Sequence, residues 1–288
     1  MGQPRQLQTM RRMVEMNGPI WTFYVSAYVA ARKLKRNLRI PPLDRRIKHL
    51  EQRLGLPGMN SSELQVFIWE AWDWDSGEGE EWTQSEEWKQ SVVRHVLLPR
   101  VPNNSDVLEI GPGAGRWTET LLDVAGSLTL VDISERCIEI CRKKFGHLDN
   151  VSFYVTPDSD LSFVADESID VVWSFDVFVH IAPDDVAGYI AGFSRVLRPG
   201  GRGVIHHADE GGLHGGWRSS MTADMFRMMA ERNCLAVVEQ FDSWGASGEF
   251  DVRYYHDTIS VIEKPVKRAD SHELSEAGSN PADRNANS

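Results

Sequence analysis

One segment constrains the fold of this chain more than any other feature, namely Val107–Gly115, which reads Val-Leu-Glu-Ile-Gly-Pro-Gly-Ala-Gly. An apolar strand runs directly into a glycine-rich turn, and a helical pattern follows. Glycine lets the backbone turn tightly and approach a ligand closely. Open parallel sheets bind ligands at the carboxyl ends of their strands, so the segment predicts a nucleotide pocket at this turn.

Residues 98–264 alternate strand-like and helix-like runs, which is typical of an α/β domain with a parallel sheet. The predicted strands are Asp106–Ile110, Leu128–Asp132, Val151–Val155, Ile169–Ser174, Gly203–His207, Leu235–Asp242 and Arg253–Glu263. The predicted helices are Gly115–Val124, Glu135–Phe145, Asp184–Leu197 and Thr222–Asn233. Only Ser243 to Glu249 lie between the last two strands, so these should form an antiparallel hairpin.

The acids around the glycine turn indicate which nucleotide it would bind. Glu109 stands two residues before the first glycine, and Asp132 ends the next strand. An acid at the second place suits ribose hydroxyls, and a carboxylate beside the turn disfavours a polyanion. The pattern therefore favours a cationic nucleoside without phosphates. The alternatives are an ordinary strand-to-helix turn and a helix N-cap formed by Asp132 together with Ser134.

Residues 105–263 resemble the bacterial, small-molecule type of class I S-adenosylmethionine-dependent methyltransferases. The resemblance rests on the glycine motif, on Asp132, on the segment Asp166–Ser174, and on Leu197–Gly201 before the fifth strand. It implies S-adenosylmethionine as cofactor and a Rossmann-like seven-stranded sheet of order 3-2-1-4-5-7-6 with the last strand antiparallel.

The resemblance also implies roles for particular residues. Gly111, Gly113 and Gly115 would shape the methionine and ribose pocket, and Glu109 would support their loop. Asp132 would bind the ribose hydroxyls, with Ile133 against the adenine. Apart from the resemblance, the position of Phe175 and Asp176 directly after the fourth strand predicts that they lie at the methionine end of the cofactor. Asp158 and Ser159 would flank the adenine amine, although many members carry an acid one residue earlier, where this chain has Pro157.

A hydroxyl acceptor needs a base, and histidine is well matched near neutral pH. The candidates for the acceptor side are His180, His207, Asp176, Trp82, His214, Trp217 and Arg218. Strand alternation lets only one of His206 and His207 face the pocket, and we favour His207.

His180 could instead cap a helix or pack in the core, and the Gly211–Ser220 residues could serve only to order their loop. His180, His207 and Asp209 could converge on a metal, but no spacing is typical of a metal site, and we predict none.

The chain outside residues 98–264 divides into three zones. Residues 1–56 form a basic helical extension whose stripe Leu43, Ile47, Leu50, Leu54 favours packing on its own chain over a dimer contact. Residues 57–97 are acidic and tryptophan-rich. They predict a lid with Trp82 and Trp88, or a cover for the apolar edge of the domain. Residues 265–288 are polar and predict a disordered tail.

The net charge of −11 is unevenly distributed. Residues 1–50 contain eleven Lys and Arg against Glu15 and Asp44, a net +9 that leaves −20 for the remainder. The acidic balance argues against a nucleic-acid binder. The basic extension predicts docking on a partner subunit, including a second copy, or on an anionic membrane or polysaccharide carrier.

The apolar run Ile20–Ala31 is too short for a membrane span. Three cysteines without a disulfide framework indicate reduced, buried thiols and a cytoplasmic protein.

The favoured hypothesis is methylation of a small molecule at a hydroxyl, with a sugar or surface-polysaccharide acceptor. Histidines, tryptophans and Arg218 suit a hydroxyl-rich ligand. The alternatives are N-methylation of a small amine, which needs no strong base, and a non-catalytic binding module on the same fold. No Asn/Asp-Pro-Pro-aromatic sequence follows the fourth strand, so methylation of nucleic-acid bases is disfavoured.

Overall fold

A seven-stranded sheet forms the centre of the protein in a computed structural model, which describes residues 3–34, 41–209 and 218–266. Its strands are β1 (Ser105–Ile110), β2 (Ala125–Asp132), β3 (Val151–Val155), β4 (Ile169–Phe178), β5 (Leu197–Ala208), β6 (Ala236–Phe241) and β9 (Asp257–Glu263). A separate two-stranded ribbon consists of β7 (Ser243–Trp244) and β8 (Phe250–Asp251). The sheet order is β3-β2-β1-β4-β5-β9-β6, with β9 antiparallel to both neighbours. Since β9 is the seventh strand of this sheet, the predicted order is confirmed.

Helices cover both faces of the sheet. The helices are α1 (Gln3–Leu34), α2 (Pro41–Leu54), α3 (Ser62–Ala71), α4 (Trp74–Gly77), α5 (Glu86–Val92), α6 (Thr118–Leu122), α7 (Glu135–Phe145), α8 (Pro183–Val196) and α9 (Ala223–Arg232). One core packs α5, α6 and α7 on one face. A second core packs α8 and α9 on the other face. The alternation seen in the sequence therefore corresponds to a sheet between two helical layers.

Five predicted boundaries are wrong by three residues or more. At the amino edge of the sheet, β2 begins at Ala125 instead of Leu128, and β5 begins at Leu197 instead of Gly203. The other three lie at the carboxyl edge. Strand β4 continues past Ser174 to Phe178, with a register shift against β5 and a left-handed φ of 63° at Asp176. Helix α6 begins at Thr118 and not at Gly115, because residues 113–117 form turns. The residues from Arg253 to Tyr255 form a 3₁₀ turn, so β9 begins only at Asp257.

The N-terminal helices have a core of their own. Helix α1 is broken at Gly18, where φ is 78°, with Pro19 directly after it. Trp21 is fully buried in this core, and its indole N–H donates to Glu51 Oε1 at 3.0 Å. From the apolar stripe of α2, Ile47 and Leu50 are buried here and Leu43 is partly buried, whereas Leu54 is exposed, so the first three residues of the stripe pack against their own chain.

Hydrogen bonds join this helical region to the carboxyl edge of the sheet. Asn60 Nδ2 donates to the carbonyl of His180 at 2.7 Å, just beyond β4. On α3, Glu70 Oε1 accepts from Ser134 Oγ at 2.8 Å and from the backbone N–H of Arg136 at 3.1 Å. These contacts fix α3 above the start of α7. The extension is thus part of the same structure as the pocket.

Three further expectations concern the cysteines, the tail and membrane spans. Cys137 and Cys141 are buried free thiols, whereas Cys234 is exposed, contrary to expectation. The predicted tail lies outside the described residues from position 267 onward. Within the described ranges, none of the helices combines the length and the apolar character that a membrane crossing requires.

Candidate functional site

A cavity of about 950 Å³ lies over the carboxyl ends of β1, β2, β4 and β5. Strand ends and the glycine turn form its floor. The tryptophans of α3, α4 and the Glu80–Trp82 turn form its roof. Such an edge is where open α/β sheets bind ligands.

The glycine turn forms one wall of the cavity. Gly111 and Gly113 both line it and both have left-handed φ, 72° and 59°. A Cβ at Gly111 would lie 2.3 Å from Val177 Cγ2, and one at Gly113 would lie 3.0 Å from the Trp74 ring. Side chains are therefore excluded at both places. Gly115 does not line the cavity but faces the Phe145 ring, so it shapes the turn from behind.

Glu109 differs from its predicted role in one respect. It is buried outside the cavity lining and accepts a hydrogen bond from Thr118 Oγ1 at 2.7 Å, so it supports the start of α6. Burial raises the pKa of Glu109 to about 8. The group is therefore neutral at pH 7 and contributes no negative charge to the pocket, contrary to the sequence argument.

Asp132 lies at the end of β2 with its carboxylate at the cavity. Its Oδ2 accepts from the backbone N–H of Gly113 at 3.2 Å, and its Oδ1 accepts from the backbone N–H of Ser134 at 2.8 Å. Burial raises the pKa of Asp132 to about 6. The N-cap of α7 is Ser134, which accepts from the backbone N–H of Cys137, so the alternative role of Asp132 as N-cap is wrong.

Of the three residues expected around an adenine ring, two line the cavity and one does not. Ile133 and Asp158 both line the cavity, and Asp158 Oδ1 accepts from the backbone N–H of Asp160 at 2.8 Å. Ser159 does not line it, because its side chain lies against Gly188 of α8. The expected placement of Ser159 in the pocket is therefore wrong.

At the end of β4, Phe175 and Asp176 line the cavity as expected. Arg116 donates to Asp176 Oδ2, and His206 Nδ1 lies 3.1 Å from Asp176 Oδ1. Burial would raise the pKa of Asp176, but the charge of Arg116 and the contact with His206 outweigh it and lower the pKa below its usual range. Asp176 is therefore an ionised carboxylate at neutral pH.

The choice of His207 over His206 was wrong. His206 lines the cavity, whereas His207 points to the opposite face, stacked on Phe226 at 4.3 Å. There His207 Nε2 lies 2.7 Å from Ser260 Oγ, and burial lowers the pKa of His207 to about 4. Strand alternation correctly allowed only one of the pair to face the cavity, but the sequence did not reveal which.

His180 lines the cavity, with its ring 5.4 Å from that of Trp69. It caps no helix, since the N-cap of α8 is Ala182. Across the described ranges, no group of three or more His, Cys, Asp or Glu side chains is placed to hold a metal ion.

Tryptophans form the roof. Trp82 lines the cavity within a cluster that includes Trp69, Trp72 and Trp74, whose ring centroids lie 5.3–6.1 Å from their neighbours. Trp88 is 4 % exposed and belongs to the main core, with its indole N–H donating to the carbonyl of Asp251 at 3.0 Å. Trp88 is thus part of the body and not a lid.

Sequence reasoning missed several residues at the far side of the cavity. Asp257 of β9 and Arg116 line it, and neither belongs to a recognisable motif. Arg218 was expected there and is found there, with Nη2 2.8 Å from Asp257 Oδ2 and the guanidinium 4.4 Å from the Tyr255 ring centroid. His214 and Trp217 lie outside the described residues.

The sheet region of this chain is similar in sequence to known proteins. Residues 107–201 match a family model described as a methyltransferase domain. A demethylmenaquinone methyltransferase of Tropheryma whipplei is 30 % identical over 122 residues, 42 % of this chain and 48 % of the relative. A Mycolicibacterium vanbaalenii protein, whose name proposes O-methyltransferase activity, is 30 % identical over 156 residues, 51 % of this chain and 64 % of the relative. This chain therefore spans about half to two thirds of the length of these relatives.

A solved structure supports the same fold. The complex between the Haloferax volcanii Trm112 methyltransferase activator and a methyltransferase contains a chain that superposes with a TM-score of 0.53. The two chains are 21 % identical, and the match covers 68 % of this chain and 97 % of the other. At this identity the likeness concerns the fold alone.

Proposed function

We propose that the chain is a class I S-adenosylmethionine-dependent methyltransferase that transfers a methyl group from S-adenosylmethionine to a small molecule; the methyltransferase-domain match and the methyltransferase relatives support this. The observation that carries the proposal is the joining, in one cavity, of the Gly111–Gly113 turn and Asp132 with a second polar region around Asp176. A methyl donor and an acceptor need adjoining sites that exclude water.

The charges around the cavity fit a cationic cofactor. The lining acids are Glu78, Glu81, Asp132, Asp158, Asp176 and Asp257, and the lining arginines are Arg116 and Arg218. Asp132 would accept hydrogen bonds from the ribose hydroxyls, Ile133 would pack against the adenine, and Asp158 would lie near the adenine amine. Phe175 and the backbone of Gly111 and Gly113 would hold the methionine end. The sulfonium of the bound cofactor supplies the electrophilic methyl group.

For the acceptor we favour a hydroxyl. His180 would remove its proton, and Asp176 would accept a hydrogen bond from the same molecule. The flat rings of Trp69 and Trp82 suit the stacking of a sugar or phenol. The name of the Mycolicibacterium relative points in the same direction.

One observation favours an amine instead. Asp176 is ionised and lies at the cavity, and such a carboxylate binds an ammonium or amine well. An amine acceptor needs no strong base. The His180→Ala variant would then keep nearly all of its rate, whereas a hydroxyl acceptor would lose about 10²–10⁴-fold.

Incubation of the full chain with radiolabelled S-adenosylmethionine and a panel of sugars, phenols and amines tests the proposal. We expect label transfer to one class of acceptor, and calorimetric binding of S-adenosylhomocysteine. If neither cofactor form binds, the proposed activity is wrong.

We also propose that the protein is cytoplasmic and that its extension docks on an anionic membrane surface. Residues 1–50 carry a net +9, and large apolar side chains are exposed along α1, namely Leu7, Met10, Val14, Ile20 and Phe23. Basic charge next to exposed apolar groups suits anionic lipid. The Ile20→Ser, Phe23→Ser double variant should lose sedimentation with vesicles containing phosphatidylserine at low salt. Unchanged sedimentation would contradict the membrane assignment. So would light scattering that shows a dimeric wild type and a monomeric variant, because the apolar face would then be a contact between two copies.

A further inference from the structure

A run of alternating buried charges crosses the floor of the cavity beyond the glycine turn. Its members in order are Arg116, Asp176, His206, Asp257 and Arg218. They come from the loop after β1, from β4, β5 and β9, and from the residue that precedes α9 by five positions. Burying charges is costly, so a run of this kind next to a ligand cavity indicates a role in binding or chemistry.

His206 is the centre of the run. Its Nδ1 lies 3.1 Å from Asp176 Oδ1, and its Nε2 lies 3.5 Å from Asp257 Oδ2. The ring packs on Phe175 with centroids 4.4 Å apart, and the side chain is only 2 % exposed. Both ring nitrogens therefore face carboxylates, and His206 is poorly placed to take a proton from a ligand itself.

Asp176 is the member of this acid–histidine–acid group that reaches a ligand. Its side chain is 20 % exposed, against 2 % for His206 and for Asp257. Its backbone φ of 63° is uncommon for a residue other than glycine. Such strained backbone persists only where surrounding contacts hold it, and it clusters at functional sites.

His206 supplies such a contact in either protonation state. When neutral at Nδ1, it accepts from the backbone N–H of Asp176 at 3.1 Å. When protonated there, it faces Asp176 Oδ1 at the same distance. Among the described residues, Arg116 lies beyond Asp176 and Arg218 beyond Asp257, and the neighbouring His207 lies on the other face of the strand.

We propose that His206 is a positioning residue that fixes the Asp176 carboxylate at the cavity surface, so that the acceptor binds to this carboxylate through a hydrogen-bond donor. The acceptor class is then a molecule with an amine or hydroxyl next to the methylated atom. This inference rests on the proposed methyl transfer. Asp257, clamped by Arg218, holds the other side of the imidazole.

We call the placement of the His206 ring between Asp176 and Asp257 the clamp. The protonation of His206 tests the clamp without any acceptor. Burial lowers the pKa of His206, but Asp176 and Asp257 outweigh it and raise the pKa above its ordinary value. In full-length protein with ¹⁵N-labelled histidine and no added ligand, NMR should show a midpoint for His206 above about 6.5. Asp257→Asn should lower it by about one pH unit or more. A midpoint at or below 6.5, or one that Asp257→Asn leaves unmoved, overturns the clamp.

Kinetics with an acceptor found in the screen test the positioning. His206→Gln and Asp257→Asn should each raise the acceptor KM at least tenfold while kcat changes less than threefold and S-adenosylhomocysteine affinity less than twofold. The matched control is His207→Gln, which lies on the same strand but faces Phe226, and should leave both constants near the wild-type values. If His206→Gln leaves the acceptor KM unchanged, the inference is wrong. If the wild type binds no cofactor, the proposed function fails, and the NMR result still decides the clamp.

Discussion

The two halves of the cavity, which we propose hold the cofactor and the acceptor, are built in different ways. The cofactor half consists of backbone turns close together in sequence, with Gly111, Gly113 and Asp132 at the ends of adjacent strands. The acceptor half consists of side chains from distant parts of the chain, such as Asp176, His206 and Arg218, under a roof from residues 60–83. Local backbone geometry thus defines one half, and long-range pairing defines the other.

The first prediction concerns the core of the N-terminal helices. This core includes residues of α3, which carries part of the roof of the acceptor half. Trp21 is 1 % exposed and packs with Ile47 and Leu64. Trp21→Ala should lower the free energy of unfolding by about 3–5 kcal/mol, because it leaves a large cavity and removes the indole donor to Glu51 Oε1. Chemical denaturation followed by circular dichroism measures this. Phe23→Ala, on the exposed face of the same helix, is the control and should change stability by less than about 1 kcal/mol.

The second prediction concerns the cofactor half alone. Asp132→Asn should weaken S-adenosylhomocysteine binding by about 1.5–3 kcal/mol, roughly ten- to a hundredfold, because charged hydrogen bonds to the ribose are lost. Ser159→Ala is the control, since Ser159 does not line the cavity. Isothermal titration calorimetry gives both affinities. Equal affinities for wild type and Asp132→Asn would contradict the cofactor placement.

The cofactor half is also the half that sequence could predict. The Val107–Gly115 motif and Asp132 are local signals, and the sheet order followed from the resemblance that they carried. His206 was missed because strand alternation gives two faces without saying which one is inside. Asp257 was missed because its strand was predicted to begin four residues too early, and its partner Arg218 is far away in sequence.

A third prediction concerns the protonation of Glu109, which is buried behind the cofactor half, and its effect on stability at different pH values. The pKa of Glu109 is raised from 4.5 to about 8, so the folded state binds a proton that the unfolded state releases between these values. Wild-type stability should therefore fall as pH rises from about 4.5 to 8, by at most about 1.4 kcal/mol per pH unit. Glu109→Gln keeps a neutral group beside Thr118 and should lack this slope. Urea denaturation at pH 5, 6.5 and 8 compares the two, and parallel curves would show that Glu109 stays ionised.

The smallest expected effect tests whether the N-terminal helices belong to the acceptor half. Val29 of α1 lines the cavity, although the sequence predicted only a docking role for the extension. Val29→Ala removes two methyl groups from this wall and should raise the acceptor KM three- to fivefold, about 0.7–1 kcal/mol, with cofactor affinity unchanged. Ala30→Ser, at the exposed neighbouring position, is the control. An effect on cofactor affinity instead would place α1 against the cofactor, and the division of the cavity into two halves would have to be redrawn.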